Sequence, residues 1–191
     1  AIMGNTVVWK PAPTSALSNY YLMKVFQEAG LPGGVINFVP GDGPLVGGIA
    51  LADRSLAALH FTGSTATFNH LWRTVCQHLD AFRVYPRLVG ETGGKGFVFA
   101  HPSAEPLEVA VALVRGGFEY QGQKCSAASR AYIPASLWPQ VRAGLLDQLA
   151  QVKMGDPEDF TNFMAAVIDK AAFESIKEYI DYAKASSEAE I

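Results

Sequence analysis

The sequence predicts an α/β protein, in which a parallel sheet with flanking helices is followed by part of a second α/β domain. Up to residue 90, short β-branched or aromatic runs alternate with segments of helical period, and Gly or Pro separates them. Such alternation implies right-handed crossovers and a parallel sheet with helices on its faces. The composition changes after Glu91, where Gly93 and Gly94 supply a flexible joint. We therefore predict two domain parts, 1–92 and 93–191.

The first part contains four predicted strands and three predicted helices. The first strand is the run "TVVWK", and the helix after it ends where Gly30 and Pro32 stop it. The strands are predicted at 6–10, 35–39, 57–61 and 86–90. The helices are predicted at 15–29, 44–52 and 65–79.

The second part continues with two strands and three helices. The first of these helices carries apolar residues at helical spacing, namely Leu107, Val111, Val114 and Phe118. The strands are predicted at 94–100 and 129–134, and the helices at 106–120, 136–151 and 170–185. No solenoid repeat or low-complexity segment interrupts this order.

Composition limits the classes of partner. The chain has 191 residues, 49% of them hydrophobic and 17% charged, which is enough to bury a sizeable core. Its net charge of -3 and its lack of a long basic run argue against nucleic acid and anionic membrane surfaces. No apolar run approaches the ~20 residues that span a bilayer, and Ala1 to Lys10 does not resemble a secretory signal. We therefore expect a small-molecule partner, no nucleic acid and no membrane.

The two cysteines have different surroundings. With only two cysteines, Cys76 and Cys125, no disulfide framework or four-ligand zinc site can be built within this chain, and we expect no metal. Cys76 lies in an apolar helical run and is predicted to be structural. Cys125 lies in "QGQKCSAASR", where an adjacent cation and main-chain amides favour a reactive thiolate. A catalytic role and an exposed cysteine without function both fit this local context.

A thiolate that forms a thioester needs a general base to activate water for its release. The nearest histidine, His101, follows a strand and is predicted to be structural or superficial. Glu91 stands at the predicted domain joint, where burial could raise its pKa toward neutrality. Alternatively, Glu91 is a carboxylate bonded to amides at a strand end. The residues alone leave this choice open.

Three loops at the predicted carboxyl ends of strands are candidates for a cofactor, at 11–14, 41–43 and 62–64. The middle loop, "GDGPLVG", fails the G-x-G-x-x-G spacing. The third, "HFTGSTAT", fits better, because Gly63 allows close approach and Ser64 with free amides can hold a phosphate. The alternative, which the four letters alone favour, is that Ser64 or Thr65 simply caps its helix. Lys10 could donate to a ribose hydroxyl or phosphate, or be an ordinary solvated lysine.

Five motifs in this order and spacing resemble the aldehyde dehydrogenase superfamily over almost the whole chain. They are "GNTVVWKP", "LPGGVINFVPG", "HFTGST", "GETGGK" and "FEYQGQKCSAASR". The resemblance implies that 1–92 is part of a Rossmann-like NAD-binding domain and that 93–191 is part of the catalytic domain with the thiol nucleophile. It also implies NAD as the cofactor.

The resemblance assigns roles residue by residue. Cys125 matches the nucleophile, and Glu91 matches the proton acceptor. Lys10 matches the lysine that contacts the adenosine ribose, and Ser126 matches a serine that holds the substrate carboxylate. The segment beside the NAD pyrophosphate is matched by Gly63, Ser64, Thr65, Ala66 and Thr67.

The implied reaction is the NAD-dependent oxidation of an aldehyde through a thiohemiacetal and a thioester. The added motifs "GDPEDF" and "FMAAVID" resemble the branch that oxidises L-glutamate γ-semialdehyde to glutamate in proline catabolism. Another semialdehyde as the substrate, or a non-catalytic nucleotide-binding fragment of the same fold, are the alternatives. The oxyanion is expected to be held by the Cys125 amide and by an asparagine upstream of Ala1.

Two positions depart from the family pattern. Pro13 stands where many NAD-dependent members carry a glutamate, which leaves the choice between NAD and NADP open. Gly96 stands where Asn or Ser usually follows "GGK".

The resemblance further implies that the chain is an internal portion of a longer enzyme and inactive alone. It implies a homo-oligomer for the whole protein, located in the mitochondrial matrix if eukaryotic and otherwise in the cytoplasm.

Overall fold

The computed structural model describes residues 1–188, and the chain forms two compact units, Ala1–Thr92 and Gly93–Ile191. Each unit contains parallel strands joined by helical crossovers, so the predicted α/β class is confirmed. The roles predicted for the two parts, NAD binding and thiol catalysis, stay predictions.

The first unit contains every strand and helix that the sequence predicted for it. Its strands are β1 (Val7–Trp9), β2 (Ile36–Phe38), β3 (Ala58–Gly63) and β4 (Arg87–Thr92). Its helices are α1 (Ala16–Glu28), α2 (Gly43–Ala50) and α3 (Thr65–Cys76). A short 3-10 helix at Pro13–Ser15 precedes α1.

The strands of this unit pair differently from the single sheet that we predicted. β1 pairs with β2 and β3 pairs with β4, both in parallel, and these are separate two-stranded sheets within the described residues. Each pair closes around its own crossover, α1 in the first case and α3 in the second. Periodicity identifies the strands, but it does not determine which strand edges meet.

Aromatic packing joins α3 to its strand pair. The Phe61 ring on β3 stacks on the Phe68 ring of α3, with centroids 5.9 Å apart, and Trp72 packs edge-on against Phe68 at 5.6 Å. A β-carbon at Gly90 of β4 would overlap the Phe68 ring. The glycine before Glu91 therefore provides the space that this ring occupies.

Cys76 corrects one prediction. It is the last residue of α3 and is exposed, whereas its neighbour Val75 retains only 2% of its accessible surface. Successive helical residues point about 100° apart, so the face that buries Val75 turns Cys76 toward solvent. The predicted packing of Cys76 in an apolar core is therefore wrong.

The second unit also matches the predicted order of elements. Its strands are β5 (Gly96–Phe99) and β6 (Ala128–Tyr132), which pair in parallel with an irregularity between Gly96 and Phe97. Its helices are α4 (Pro106–Phe118), α5 (Trp138–Ala150) and α6 (Lys170–Ala185).

Small residues let α4 and α5 pack closely. Ala110 on α4 and Val141 on α5 are fully buried, and a β-carbon at Gly144 would lie 3.2 Å from the Ala110 β-carbon. The buried line of α4 is therefore Ala110 and Val114, while Leu107 and Phe118 of the predicted apolar stripe stay exposed.

None of the helices within residues 1–188 is both long enough and apolar enough to cross a bilayer. Those residues also contain no cluster of three or more His, Cys, Asp or Glu side chains with the geometry of a metal site.

Candidate active site

Cys125 lies on a tight turn just before β6. The Ala127 amide donates to the Lys124 carbonyl oxygen at 3.2 Å, so Cys125 and Ser126 are the two central residues of the turn. Both are exposed, and Cys125 is a free thiol. This arrangement is compatible with a thiol that meets a small molecule from solvent.

Two glycines allow the start of β5 to approach this turn. A β-carbon at Gly94 would overlap the Cys125 carbonyl oxygen and would come within 2.7 Å of Cys125 Cα. At Gly96 a β-carbon would lie 2.7 Å from the Ala127 carbonyl oxygen. The main chain of the cysteine turn therefore lies directly against the "GGKG" segment. In this chain, the close Ala127 carbonyl accounts for glycine at position 96.

Charged side chains tie the turn to the end of α4. The Lys124 ammonium donates to Glu119 Oε2 at 2.7 Å and lies 5.1 Å from the centroid of the Tyr120 ring. Arg115 also pairs with the Glu119 carboxylate. The hydrogen bond from Lys124 holds the pKa of Glu119 below its ordinary value, and the charge of Arg115 acts in the same direction. The ammonium group of Lys124, the residue before Cys125, is therefore paired with the Glu119 carboxylate.

The chain reaches Cys125 through an uncommon backbone conformation. Tyr120 and Gln121 adopt left-handed angles, with φ of 51° and 59°, and Gly122 follows at 70°. Such angles are rare outside glycine and cluster at functional sites. Side-chain amides contact a remote segment here, because Gln121 bonds Ala166 and Gln123 bonds Ile168.

Glu91 lies in β4, one residue before its end, rather than in the loop after it. Parallel pairing sets Thr62 opposite Glu91 and Gly63 opposite Thr92. β3 and β4 therefore bring Glu91 to the same sheet edge as the loop after Gly63. The burial expected for Glu91 is not found in this unit, because the residue is exposed. The strand face that carries it is not covered by the described residues of the unit.

The predicted pyrophosphate segment forms the start of α3. Gly63 ends β3, Ser64 is the N-cap of α3, and residues 65–67 form its first turn, all exposed. Ser64 Oγ accepts from the Thr67 amide at 3.1 Å and lies 2.8 Å from Thr67 Oγ1. The capping interaction considered for Ser64 is therefore present. The first amides of a helix lack intrahelical partners, so this exposed end can also receive an anion.

Gly63 lies against an aromatic ring, a contact that the sequence did not suggest. A β-carbon there would approach the Phe61 ring to 2.6 Å. The glycine thus accommodates an aromatic side chain of its own strand.

The other candidate loops differ in their fit to a cofactor. Lys10 follows β1, is half-buried, and donates to the Pro11 carbonyl oxygen at 2.7 Å. In the middle loop, Asp42 caps α2 by accepting from the Leu45 amide at 3.0 Å. A carboxylate at that helix start disfavours a phosphate, which agrees with the failed glycine spacing.

His101 behaves as a surface residue. It is exposed, and its Nδ1 lies 2.9 Å from Ser103 Oγ in a local turn after β5. Sequence reasoning missed Gly94, Glu119 and the two glutamine contacts around Cys125. The doublet of glycines in "GGK" was a usable signal for close approach, whereas side-chain contacts between residues 45 positions apart leave no local pattern.

Comparison with known proteins identifies the family to which this chain is similar. The model of the aldehyde dehydrogenase family matches residues 1–190. The mitochondrial delta-1-pyrroline-5-carboxylate dehydrogenase of Dictyostelium discoideum is 52% identical over 193 residues, which cover 100% of this chain and 35% of that protein. The mitochondrial human protein of the same name is 49% identical over 187 residues, covering 97% of this chain and 33% of that protein.

A solved structure supports the same relationship. The crystal structure of the delta-pyrroline-5-carboxylate dehydrogenase from Mycobacterium tuberculosis bound with NAD superposes with a TM-score of 0.93 at 52% identity. The match covers 97% of this chain and 35% of that one. The chain thus spans about a third of the length of the relatives it matches.

Proposed function

This chain belongs to the aldehyde dehydrogenase family, and on that premise we propose that the whole protein oxidises L-glutamate γ-semialdehyde to glutamate with NAD. Relatives named delta-1-pyrroline-5-carboxylate dehydrogenase, about 50% identical over the full chain, support this substrate. The observation that carries the proposal is the exposed Cys125 thiol at the tip of a turn held against Gly94. The reaction would belong to proline catabolism.

Cys125 begins the chemistry in this proposal. Its thiolate adds to the aldehyde carbon, and the Cys125 main-chain amide donates to the oxyanion that forms. NAD, when bound, accepts the hydride that leaves this carbon. The carbon then remains bonded to Cys125 Sγ as a thioester.

Glu91 completes the cycle. Its carboxylate takes a proton from water as the water adds to the thioester carbon, and the Cys125 thiolate leaves. The acid released is glutamate, and loss of the proton from Glu91 to solvent restores the free enzyme. Ser126 donates from its hydroxyl to the α-carboxylate of the substrate, which distinguishes glutamate semialdehyde from simple aldehydes.

The N-terminal end of α3 and Lys10 would hold the cofactor. The exposed first turn of α3 offers amides to the pyrophosphate, and residues 63–67 run from the last residue of β3 into α3, at the sheet edge where such ligands bind. The Lys10 ammonium, half-buried beside β1, would donate to the adenosine ribose. Pro13 supplies no carboxylate for the ribose hydroxyls, so NAD and NADP should be compared directly.

Steady-state turnover of the purified whole protein tests the proposal. We expect glutamate semialdehyde to be oxidised with a higher kcat/KM than succinate semialdehyde, with NAD preferred over NADP. We expect Cys125→Ser to abolish turnover and Cys76→Ser to retain it, since Cys76 ends α3 in the other unit. A preference for another semialdehyde would contradict the substrate assignment. Full activity of Cys125→Ser would contradict the mechanism.

The assembly and compartment belong to the same proposal. We infer a homo-oligomer and, in a eukaryotic source, the mitochondrial matrix, because the eukaryotic relatives are named mitochondrial. In a bacterial source the cytoplasm would replace it. Sedimentation of the whole protein and fractionation of the source cells test the two inferences separately.

A further inference from the structure

Gln121 and Gln123, which precede Cys125, reach across the second unit to one distant segment. Gln121 Nε2 donates to the Ala166 carbonyl oxygen at 2.8 Å. The Ile168 amide donates to Gln123 Oε1 at 3.0 Å. Two side chains that are two positions apart thus bond main-chain groups that are also two positions apart. The pair of contacts fixes the register of residues 120–125, the cysteine loop, against residues 166–168.

Gln123 also holds the loop from within. The Tyr120 carbonyl oxygen accepts from the Gln123 amide at 3.0 Å and from Gln123 Nε2 at 3.2 Å. The side-chain amide of Gln123 therefore donates from Nε2 to the turn and accepts at Oε1 from the remote segment. Tyr120 and Gln121 have left-handed angles that persist only where the surroundings hold them.

The remote segment is itself anchored on both sides. Ile168 directly precedes Asp169, whose carboxylate caps α6 by accepting from the Ala172 amide at 2.8 Å. On the other side, Met164 forms a bridge with Met154. The glutamine contacts therefore connect the cysteine loop to a fixed part of the unit.

We propose that Gln121 and Gln123 are positioning residues for Cys125, which hold the left-handed turn so that the thiolate meets the aldehyde carbon in the productive orientation. The inference rests on the proposed function. Neither side chain contacts the thiol. They act by fixing the main chain two to four residues before it.

Substitutions by methionine test the inference, because methionine retains the length of glutamine and loses its hydrogen bonds. In the whole protein, we expect Gln121→Met and Gln123→Met each to lower kcat on the order of tenfold, since small misplacements of a reacting group are costly. KM and the thermal midpoint should stay near the wild-type values. Alkylation of Cys125 by iodoacetamide should change in rate in both variants; it is followed across a range of pH by peptide mass, because Cys76 is exposed as well.

Further variants separate the two contacts and provide the control. Gln123→Glu keeps an acceptor for the Ile168 amide and should regain part of the activity that Gln123→Met loses. Gln121→Glu has no donor for the Ala166 carbonyl and should regain none. Gln140→Met makes the same substitution at an exposed position of α5 and should match the wild type.

Two results would overturn the inference. One is that both methionine variants match Gln140→Met in kcat and in alkylation of Cys125. The other is a fall in the thermal midpoint that accounts for the loss of kcat, since that would indicate a purely structural role. If the wild-type protein alkylates at Cys125 but does not oxidise glutamate semialdehyde, the proposed function fails, and the alkylation rates still decide the inference.

Discussion

At the scale of single residues, Gly94 is a position where the second unit leaves no room for a side chain. A β-carbon there would overlap the Cys125 carbonyl oxygen, and main-chain atoms cannot move aside as a flexible side chain can. We expect Gly94→Ala to displace the cysteine turn and to lower kcat on the order of 100-fold, since an error of about 1 Å at a reacting group costs that much. Steady-state kinetics of the whole protein measures this.

A second glycine supplies the control for this prediction. A β-carbon at Gly33 would meet no atom within 4 Å, and its φ is outside the left-handed range. Gly33→Ala should therefore keep the wild-type kcat. Equal activity of Gly94→Ala and Gly33→Ala would show that the turn tolerates the methyl group and would contradict the argument.

Glu119 makes the cysteine loop sensitive to acid. Lys124 lowers its pKa in the folded protein below the ordinary value of 4.5, so ionised Glu119 stabilises the fold above that pH. The contribution is lost as the pH falls through the lowered pKa. We expect the thermal midpoint of Glu119→Gln to lie below that of the wild type at neutral pH, and the gap to close as the pH falls below 4.5.

Glu174→Gln is the matched control, because it removes the same charge from an exposed position of α6. Its midpoint should differ less from the wild type at neutral pH. A gap for Glu119→Gln that widens toward low pH would reverse the sign of the argument and refute it.

At the scale of elements, the N-terminus of α3 combines two roles that substitutions can separate. Ser64 caps the helix, and its loss in Ser64→Ala should lower the free energy of unfolding by about 1 kcal/mol. Ser64→Asp should keep the stability, because aspartate caps as well as serine. Its negative charge should nevertheless weaken NAD binding, if this helix start holds the pyrophosphate.

Thermal unfolding and NAD titration by calorimetry measure the two effects on the whole protein. Ser187→Asp, at an exposed position of the second unit, is the control for added charge outside this helix start. Wild-type NAD affinity in Ser64→Asp would leave Ser64 with the capping role alone and would remove α3 from the cofactor site.

The elements show which part of the fold a sequence can predict. Strands and helices follow from the local hydrophobic period and from residues that end a helix, such as Gly30 and Pro32, and every predicted element is present. The pairing of β1 with β2 and of β3 with β4 depends on contacts between distant strand edges. The exposure of Cys76 depends on the rotation of one helical face. The local pattern therefore determines neither the strand pairing nor the exposure of Cys76.

The candidate site divides in the same way. Cys125, Glu91 and the segment 63–67 follow from motifs, because reactive residue types and glycines are visible in the sequence. The support around Cys125 is not visible there. Gln121 and Gln123 gain their roles only when the fold brings residues 166–168 to them, 45 positions along the chain.

At the scale of the whole molecule, the proposed chemistry divides between the two units. Cys125 belongs to the second unit and Glu91 to the first. The motif "GETGGK" contains both Glu91 and Gly94, and Gly94 lies against the Cys125 main chain. The two residues act in succession in the proposal. Cys125 is needed before hydride transfer, and Glu91 only after it.

This division predicts distinct kinetics for Glu91→Gln in the whole protein. Of these two residues, only Cys125 is needed for hydride transfer in the proposal. Mixing the variant with NAD and glutamate semialdehyde should therefore give a burst of NADH equal to the enzyme concentration. The following steady state should be slower by on the order of 100-fold, since a positioned general base contributes at least that much. Intact mass should show the acyl group on Cys125, and Glu105→Gln should behave as the wild type. A variant without a burst, or with wild-type turnover, would show that Glu91 does not act at the hydrolysis step.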